Sequence, residues 1–231
     1  MIHVKDIVCL FDVDNTLLDN DTAQNAYIDT IKRECGSEAA NRYWEILQAL
    51  TKELGYADYL GALQRYRVES MHEPKLLQVA SFLLDYPFED RLYPGALNVL
   101  GRAGHWGTPV LLTDGDVVFQ PRKIKRSGLW DSVEGRVLIY IHKENELAEV
   151  ERRFPAQHYV MVDDKLRLLA AIKKVWGERV TTIFPRQGHY ALDPQVLVTY
   201  PPADISIEHI SDLLSYSLEM ILAAAKPLLK K

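Results

Sequence analysis

The chain has 231 residues, 48% of them hydrophobic and 26% charged, with a formal net charge of −5. That is enough for one large domain, or a core with a smaller companion, of ordinary globular composition. It argues against a dedicated nucleic-acid binder, which carries a basic face, and no apolar run approaches the roughly 20 residues needed to span a bilayer.

The first element is the apolar run Ile7 to Phe11, β-branched and aromatic, which reads as a buried strand. It starts almost at the N-terminus and leaves no room for a signal peptide. Cys9 lies within it, and with Cys35 makes only two cysteines, too few for a disulfide framework. Reduced thiols in the cytoplasm are the expectation. Behind the strand come Asp12, Asp14, Asn15 and Thr16. Alternate residues of an extended chain face the same way, so Asp12 and Asp14 can point into one small volume. Their repulsion becomes tolerable beside an opposite charge, normally a metal ion. Taken alone, DxDxT serves equally well as a turn and helix cap. A calcium loop is excluded, because Leu17 stands where that loop needs glycine and Ala23 where it needs glutamate.

From Asp21 to Leu84 apolar residues recur at helical spacing. Ala26, Ile28 and Ile31 mark a first helix ending near Gly36. Tyr43, Trp44, Leu47, Leu50 and Leu54 mark a second, with Ser37 as cap and Gly55 as stop. Tyr59 to Val68 forms a third, and Pro74 opens a fourth that closes before Pro87. Four helices with short joins predict a helical bundle. Its hinges to the rest fall near Leu18 to Asn20 and Asp85 to Arg91.

Strand and helix then alternate. A helix is predicted from Pro94 to Ala103, ended by Gly104, and a strand from Pro109 to Thr113. A basic stretch follows from Pro121 to Ser127, then a strand from Arg136 to Ile141 and a helix from Lys143 to Arg153. His158 to Asp163 and Arg179 to Phe184 are strands flanking a helix from Lys165 to Trp176. Near-continuous apolar strands in such alternation indicate a parallel sheet covered on both faces. The fold class is therefore α/β, a Rossmann-like parallel sheet with an inserted helical bundle: residues 1–18 plus 90–231 as core, 19–89 as insert. In the tail, Val196 to Thr199 reads as an edge strand and Ile207 to Ala225 as a closing helix. The end, AAAKPLLKK, is expected to fray.

Open α/β sheets bind ligands at the carboxyl ends of their strands. Those ends carry Asp12 and Asp14, then Thr113 and Asp114, then Lys143 after His142, then Asp163 and Asp164. Carboxylate-rich ligands with little histidine or thiol favour a hard cation such as Mg²⁺ over zinc. A lysine and a hydroxyl suit phosphoryl oxygens, and paired carboxylates suit a nucleophile and a general acid–base.

FDVDNTLLD, PVLLTDGD, Lys143 and VMVDDK together resemble the motifs of the haloacid dehalogenase superfamily, on its phosphatase side and with a helical cap after the first motif. The resemblance spans about Ile7 to Phe184 and implies a Mg²⁺-dependent phosphatase acting on a small phosphate ester. It implies Asp12 as nucleophile and Asp14 as acid and then base. Mg²⁺ would be held by Asp12, Asp163 and the backbone carbonyl of Asp14. Thr113, Asp114 and Lys143 would face the phosphoryl group, and Asp164 would ligate metal directly or through water, or orient Lys143. The family's true dehalogenases lack the second aspartate. Glu144 stands where many relatives have proline, which leaves Lys123 and Lys125 as alternative lysines, although RKIKR reads more simply as a solvated helix face. His142 reads as a structural neighbour. Asp19, Asn20, Asp21, Arg65, Arg67 and His72 are polar candidates on the insert for reaching substrate. A phosphomutase or phosphotransferase with the same nucleophile, and a non-catalytic regulatory protein, are the alternatives. No nucleic-acid or membrane partner is expected, and no GxxxxGK, GxGxxG or GxSxG motif is present.

Overall fold

A computed structural model of the chain describes residues 6–225. At its centre is β1 (Ile7–Phe11), all five residues buried. The other strands are β2 (Thr108–Asp114), β3 (Val137–Tyr140), β4 (His158–Val162), β5 (Val180–Pro185) and β6 (Ile205–Ile207). They make one parallel sheet in the order β3-β2-β1-β4-β5-β6. Phe11 stands opposite Leu111 on one side and Val162 on the other. The residues that follow β1 and β4 therefore emerge side by side.

Alternation along β1 divides the core. Ile7, Cys9 and Phe11 face one apolar layer, and Val8 and Leu10 face the other. The first layer holds α5 (Ala96–Trp106) together with four helices inserted after β1. These are α1 (Asn20–Cys35), α2 (Ser37–Leu54), α3 (Tyr59–Glu69) and α4 (Leu76–Asp85). The second layer holds α8 (Leu147–Arg153) and α9 (Leu166–Trp176). Burial on both faces is why these strands read as apolar runs.

Aromatic packing ties the insert together and to the core. Tyr27 meets Tyr43 edge-on at 5.4 Å, and Phe88 and Tyr59 both meet Phe119 of α6 (Phe119–Arg126) at 5.8 and 5.7 Å. The two crossings between insert and sheet run together: Asp19 N–H donates to Arg91 O at 2.8 Å, and Tyr93 N–H to Leu17 O at 2.9 Å. Gly55 ends α2 at φ +85°, a left-handed position that glycine adopts without strain.

Several boundaries differ from expectation. Ser37 is the first residue of α2 rather than its cap, and Gly36 occupies the cap position. Helix α5 runs through Gly104 and stops at Gly107. Lys143 begins a short 3₁₀ turn (Lys143–Asn145), and the helix proper starts at Leu147. The largest corrections lie in the tail. After the short helices α7 (Leu129–Ser132) and α10 (Gly188–Leu192), Val196 to Thr199 belongs to a helix, α11 (Pro194–Thr199), not to an edge strand. Pro194 at its first position and the Asp193 carboxylate, which accepts from Gln195 N–H, outweigh the β-branched character of the run. The edge strand is β6. The expected closing helix is broken into the end of β6, a 3₁₀ segment (Ile210–Ser215) and α12 (Leu218–Ala224), which Ser217 caps by accepting Met220 N–H. Of the stretch expected to fray, AAAKPLLKK, the first two residues end α12 as ordered helix; 226–231, like the first five residues assigned to the core, lie outside the described residues. No helix among the described residues is long and apolar enough to cross a membrane. Both cysteines are free thiols, and burial pushes Cys9 up to about 12.

Candidate active site

Asp12 leaves the end of β1 with its N–H donating to Val162 O at 2.9 Å, which sets it beside Asp163 and Asp164 at the end of β4. All three are buried, and one carboxylate oxygen from each lies within 4.8 Å of the others. Thr16 stitches the two strand ends: its Oγ1 accepts Asp164 N–H at 3.1 Å and sits 3.5 Å from Asp12 Oδ2. Asn15, at φ +59°, makes the turn that leads from β1 into α1 and accepts the N–H groups of Asn20 and Asp21. The DxDxT stretch is thus both a turn that starts α1 and the source of the clustered acids.

Lys143 arrives from the loop after β3 and is almost wholly buried. Its Nζ lies 2.5 Å from Asp12 Oδ1 and 3.2 Å from Leu112 O, with Asp163 Oδ2 at 2.7 Å as an ion pair rather than an aligned hydrogen bond. Its backbone N–H donates to Asp114 Oδ1 at 2.8 Å. Asp114 therefore fixes the lysine loop, and burial pushes its carboxyl up to about 6. Burial works against the Lys143 ammonium, yet Asp12, Asp163 and Asp114 together hold it above the ordinary lysine range. Thr113, next to last in β2, accepts from Gln120 Nε2 at 3.1 Å.

Asp14 points elsewhere. Both of its carboxylate oxygens receive Lys123 Nζ, at 2.8 and 2.9 Å, and Gln120 Nε2 approaches Oδ2 at 3.4 Å. Lys123 also donates to Asn20 Oδ1 at 2.9 Å and is about 1% exposed. The expectation of a solvated RKIKR face therefore fails at Lys123, whereas Lys125 is exposed, over the Trp130 ring. Helix α6 turns Phe119, Gln120, Lys123 and Ile124 inward.

The donor set suits a divalent cation. Asp12, Asp163 and Asp164 offer only oxygen, and both Asp164 oxygens are buried without a hydrogen-bond partner among the described residues. Burial, reinforced by the charge of Asp163, pushes Asp164 well above the usual carboxylate range, while Lys165 opposes that rise. Such a group is costly until something positive meets it. Five carboxylates (Asp12, Asp14, Asp114, Asp163, Asp164) gather with three ammoniums (Lys123, Lys143, Lys165), so a 2+ ion offsets the excess. Hard oxygen ligands suit Mg²⁺.

Of the insert candidates, Asn20 reaches Lys123 and Tyr59 OH, and Asp21 accepts from His189 N–H at 2.8 Å and pairs with its Nδ1 at 2.7 Å. Asp19 caps α1. Arg65 is exposed and paired with Glu53, and Arg67 and His72 are exposed as well. His142 packs its ring against Gly55. The sequence reading did not assign Gln120, Lys165 or the 187–190 stretch. There Gln187 Nε2 donates to Thr16 O at 3.4 Å, and Tyr190 lies under the Lys165 ammonium at 4.8 Å.

Among solved structures, the chain is similar to one described as a haloacid dehalogenase-like hydrolase of Burkholderia xenovorans LB400. The two are 62% identical, with 92% of this chain and 99% of that chain covered and a TM-score of 0.88. YfnB of Bacillus subtilis, a described HAD-hydrolase solved bound to magnesium, shares the fold at 15% identity, 90% and 97% coverage and a TM-score of 0.61. So does L-2-haloacid dehalogenase of Xanthobacter autotrophicus, solved with chloropropionic acid covalently bound, at 16% identity, 90% and 96% coverage and a TM-score of 0.58. No family model and no curated protein matches the chain.

Proposed function

The chain belongs to the haloacid dehalogenase-like hydrolases, and from that premise we propose that it is a Mg²⁺-dependent phosphatase of a small phosphate ester. The observation that carries this reading is Asp14, a second carboxylate two residues beyond Asp12 that takes no part in the Asp12–Asp163–Asp164 cluster. A halide leaves carbon without a proton. An alkoxide leaving phosphorus needs one, and a separate carboxyl is what supplies it.

In this reading a carboxylate oxygen of Asp12 attacks phosphorus, forming an aspartyl-phosphate as the bond to the ester oxygen breaks. Asp14 gives its proton to that oxygen, and the alcohol departs. Asp14 then takes a proton from water, which attacks phosphorus, breaks the acyl phosphate and restores Asp12 with release of phosphate. Lys143 keeps Asp12 and Asp163 in register. Asp12, Asp163 and Asp164, with the Asp14 backbone carbonyl, would hold Mg²⁺, which when bound offsets charge on the phosphoryl oxygens. Residues 19–89 act as a cap that selects the leaving group, while 1–18 and 90–231 supply the chemistry.

The test is a panel of phosphorylated metabolites and 2-haloacids with and without Mg²⁺, run beside Asp12→Asn. Mg²⁺-dependent release of phosphate, abolished in the variant while its melting temperature is kept, is the expected result. Release of halide alone, or near-normal ester hydrolysis by Asp12→Asn, overturns the reading.

A further inference from the structure

Three lysines stand at the carboxylate cluster, and two have no donor to spare. An ammonium has three N–H bonds. Those of Lys143 face Asp12, Asp163 and Leu112 O, and those of Lys123 face the two oxygens of Asp14 and Asn20 Oδ1. Each of these two residues is about 1% exposed. Either can turn a donor to an incoming anion only by giving up one of these buried contacts.

Lys165 is different. Its backbone N–H donates to Asp163 Oδ1 at 2.8 Å, which ties it to the cluster. Asp164, Asp12 and Asp163 are the negative charges acting on its ammonium. Among the described residues no hydrogen bond or salt bridge engages that ammonium, which rests on the face of Tyr190 at 4.8 Å. Lys165 also keeps some contact with solvent, unlike the other two. The residues before Tyr190 are anchored: Gln187 donates to Thr16 O and accepts Ile210 N–H, and His189, whose ring lies 3.9 Å from that of Tyr190, pairs with Asp21 on the insert. A partly exposed cation, propped by an aromatic face with three donors unspent, is prepared for an anion.

We propose that Lys165 is a further anion-binding lysine of this site, beside Lys143, taking phosphoryl oxygens of the bound ester and of product phosphate, while Tyr190 of the tail holds its ammonium in place. The proposal rests on the phosphatase reading above. It gives the 187–190 stretch a part in binding substrate, and it adds a cation to Lys143, which also holds the carboxylates.

The experiment uses the full chain with saturating Mg²⁺, titrated separately for each variant, and inorganic phosphate as probe. Binding is read by calorimetry and by competitive inhibition of p-nitrophenyl phosphate hydrolysis. Lys165→Gln should weaken phosphate binding by roughly 10- to 100-fold, the worth of a hydrogen bond to a charged group, and raise KM in step. Lys165→Arg should keep most of the affinity. Tyr190→Leu removes the ring and no charge from a partly exposed position, and should weaken phosphate by a smaller factor of about 2 to 5. Should Lys165→Gln not fold, Tyr190→Leu and Lys165→Arg still decide. Unchanged phosphate affinity in Lys165→Gln with tighter Mg²⁺ makes Lys165 a screen for the carboxylates and overturns the proposal. So does unchanged affinity in Tyr190→Leu. A wild-type protein that neither binds phosphate nor hydrolyses p-nitrophenyl phosphate removes the phosphatase reading as well; wild-type and Lys165→Gln proteins that bind phosphate and hydrolyse the ester equally well remove this inference alone.

Discussion

Lys123 donates to both carboxylate oxygens of Asp14, 109 positions away in the chain, at 2.8 and 2.9 Å. The pair ties the turn after β1 to a helix that follows β2, and it draws the Asp14 side chain away from Asp12. Removing Lys123 frees Asp14 to rotate and leaves it without its counter-charge. Because Asp14 keeps about a quarter of its side-chain surface exposed, Lys123→Met should cost about 2 kcal/mol, below the usual range for a fully buried pair. A double-mutant cycle with Asp14→Asn, read by urea unfolding, should return a coupling of about 1–2 kcal/mol. In turnover the variant should lose more on an alkyl phosphate, whose leaving oxygen needs a proton, than on an aryl phosphate. Equal losses on both would mean that Lys123 does not govern the acid.

Asp164 offers a test of the metal site that needs no substrate. Both of its oxygens are buried and lack hydrogen-bond partners among the described residues. Without metal, Asp164→Asn therefore removes a liability, and the variant should be as stable as wild type or gain up to about 1–2 kcal/mol. With Mg²⁺ the order should reverse. Wild type gains stability by RT ln(1 + [Mg²⁺]/Kd), and the variant gains much less. Thermal melts in EDTA and in millimolar Mg²⁺ check this, and identical Mg²⁺-induced shifts in the two proteins would take Asp164 out of the metal set.

Asp114 gives a pH dependence. Burial lifts its carboxyl from 3.8 to about 6 in the folded chain. The folded state thus holds its proton more tightly than the unfolded state does. The associated stability is fully present below pH 4 and is lost as pH rises from about 4 to about 6, by on the order of 2 kcal/mol. Denaturation of wild type and Asp114→Asn in EDTA at several pH values should show wild type losing ground to the variant across that window and running parallel to it above. A constant difference from pH 4 to pH 7 would contradict the assigned shift.

The strands and their acidic ends were legible because both signals are local. Ile7–Phe11 and Tyr159–Val162 are unbroken apolar runs, and each is followed at once by aspartate. The sequence distance between them does not matter once a parallel sheet sets them side by side. Lys123 was harder. It shares its inward face with Phe119, Gln120 and Ile124, a stripe at helical spacing in which two of the four members are polar, so hydropathy reads it as surface. Phe119 and Ile124 were the available clue to which face turns inward. Lys165 hid beside the acids that drew attention. The tail was least legible, because its short elements are fixed by contacts with distant parts of the chain: Gln187 with Thr16, His189 with Asp21, Gly188 with Asn15.

That last contact makes a stringent prediction. Gly188 sits at φ +73°, and a Cβ there would meet Asn15 Cβ at 2.5 Å. Asn15 is held at φ +59° and accepts the N–H groups that start α1, one residue beyond Asp14. Gly188→Ala must strain its own backbone and also push Asn15, for a cost of about 1–3 kcal/mol. Gly128 supplies the control, since it has φ +78° but nothing within 4 Å of an added Cβ. Gly128→Ala should carry only the backbone cost of about 1 kcal/mol and leave kcat/KM near wild type. Gly188→Ala should lower kcat/KM by at least about tenfold, because displacing the turn moves Asp14 and Thr16 by a fraction of an ångström from their partners. Melting temperatures and kcat/KM measured side by side decide it. If both variants lose stability alike and both keep full activity, the tail does not brace the turn that carries Asp14.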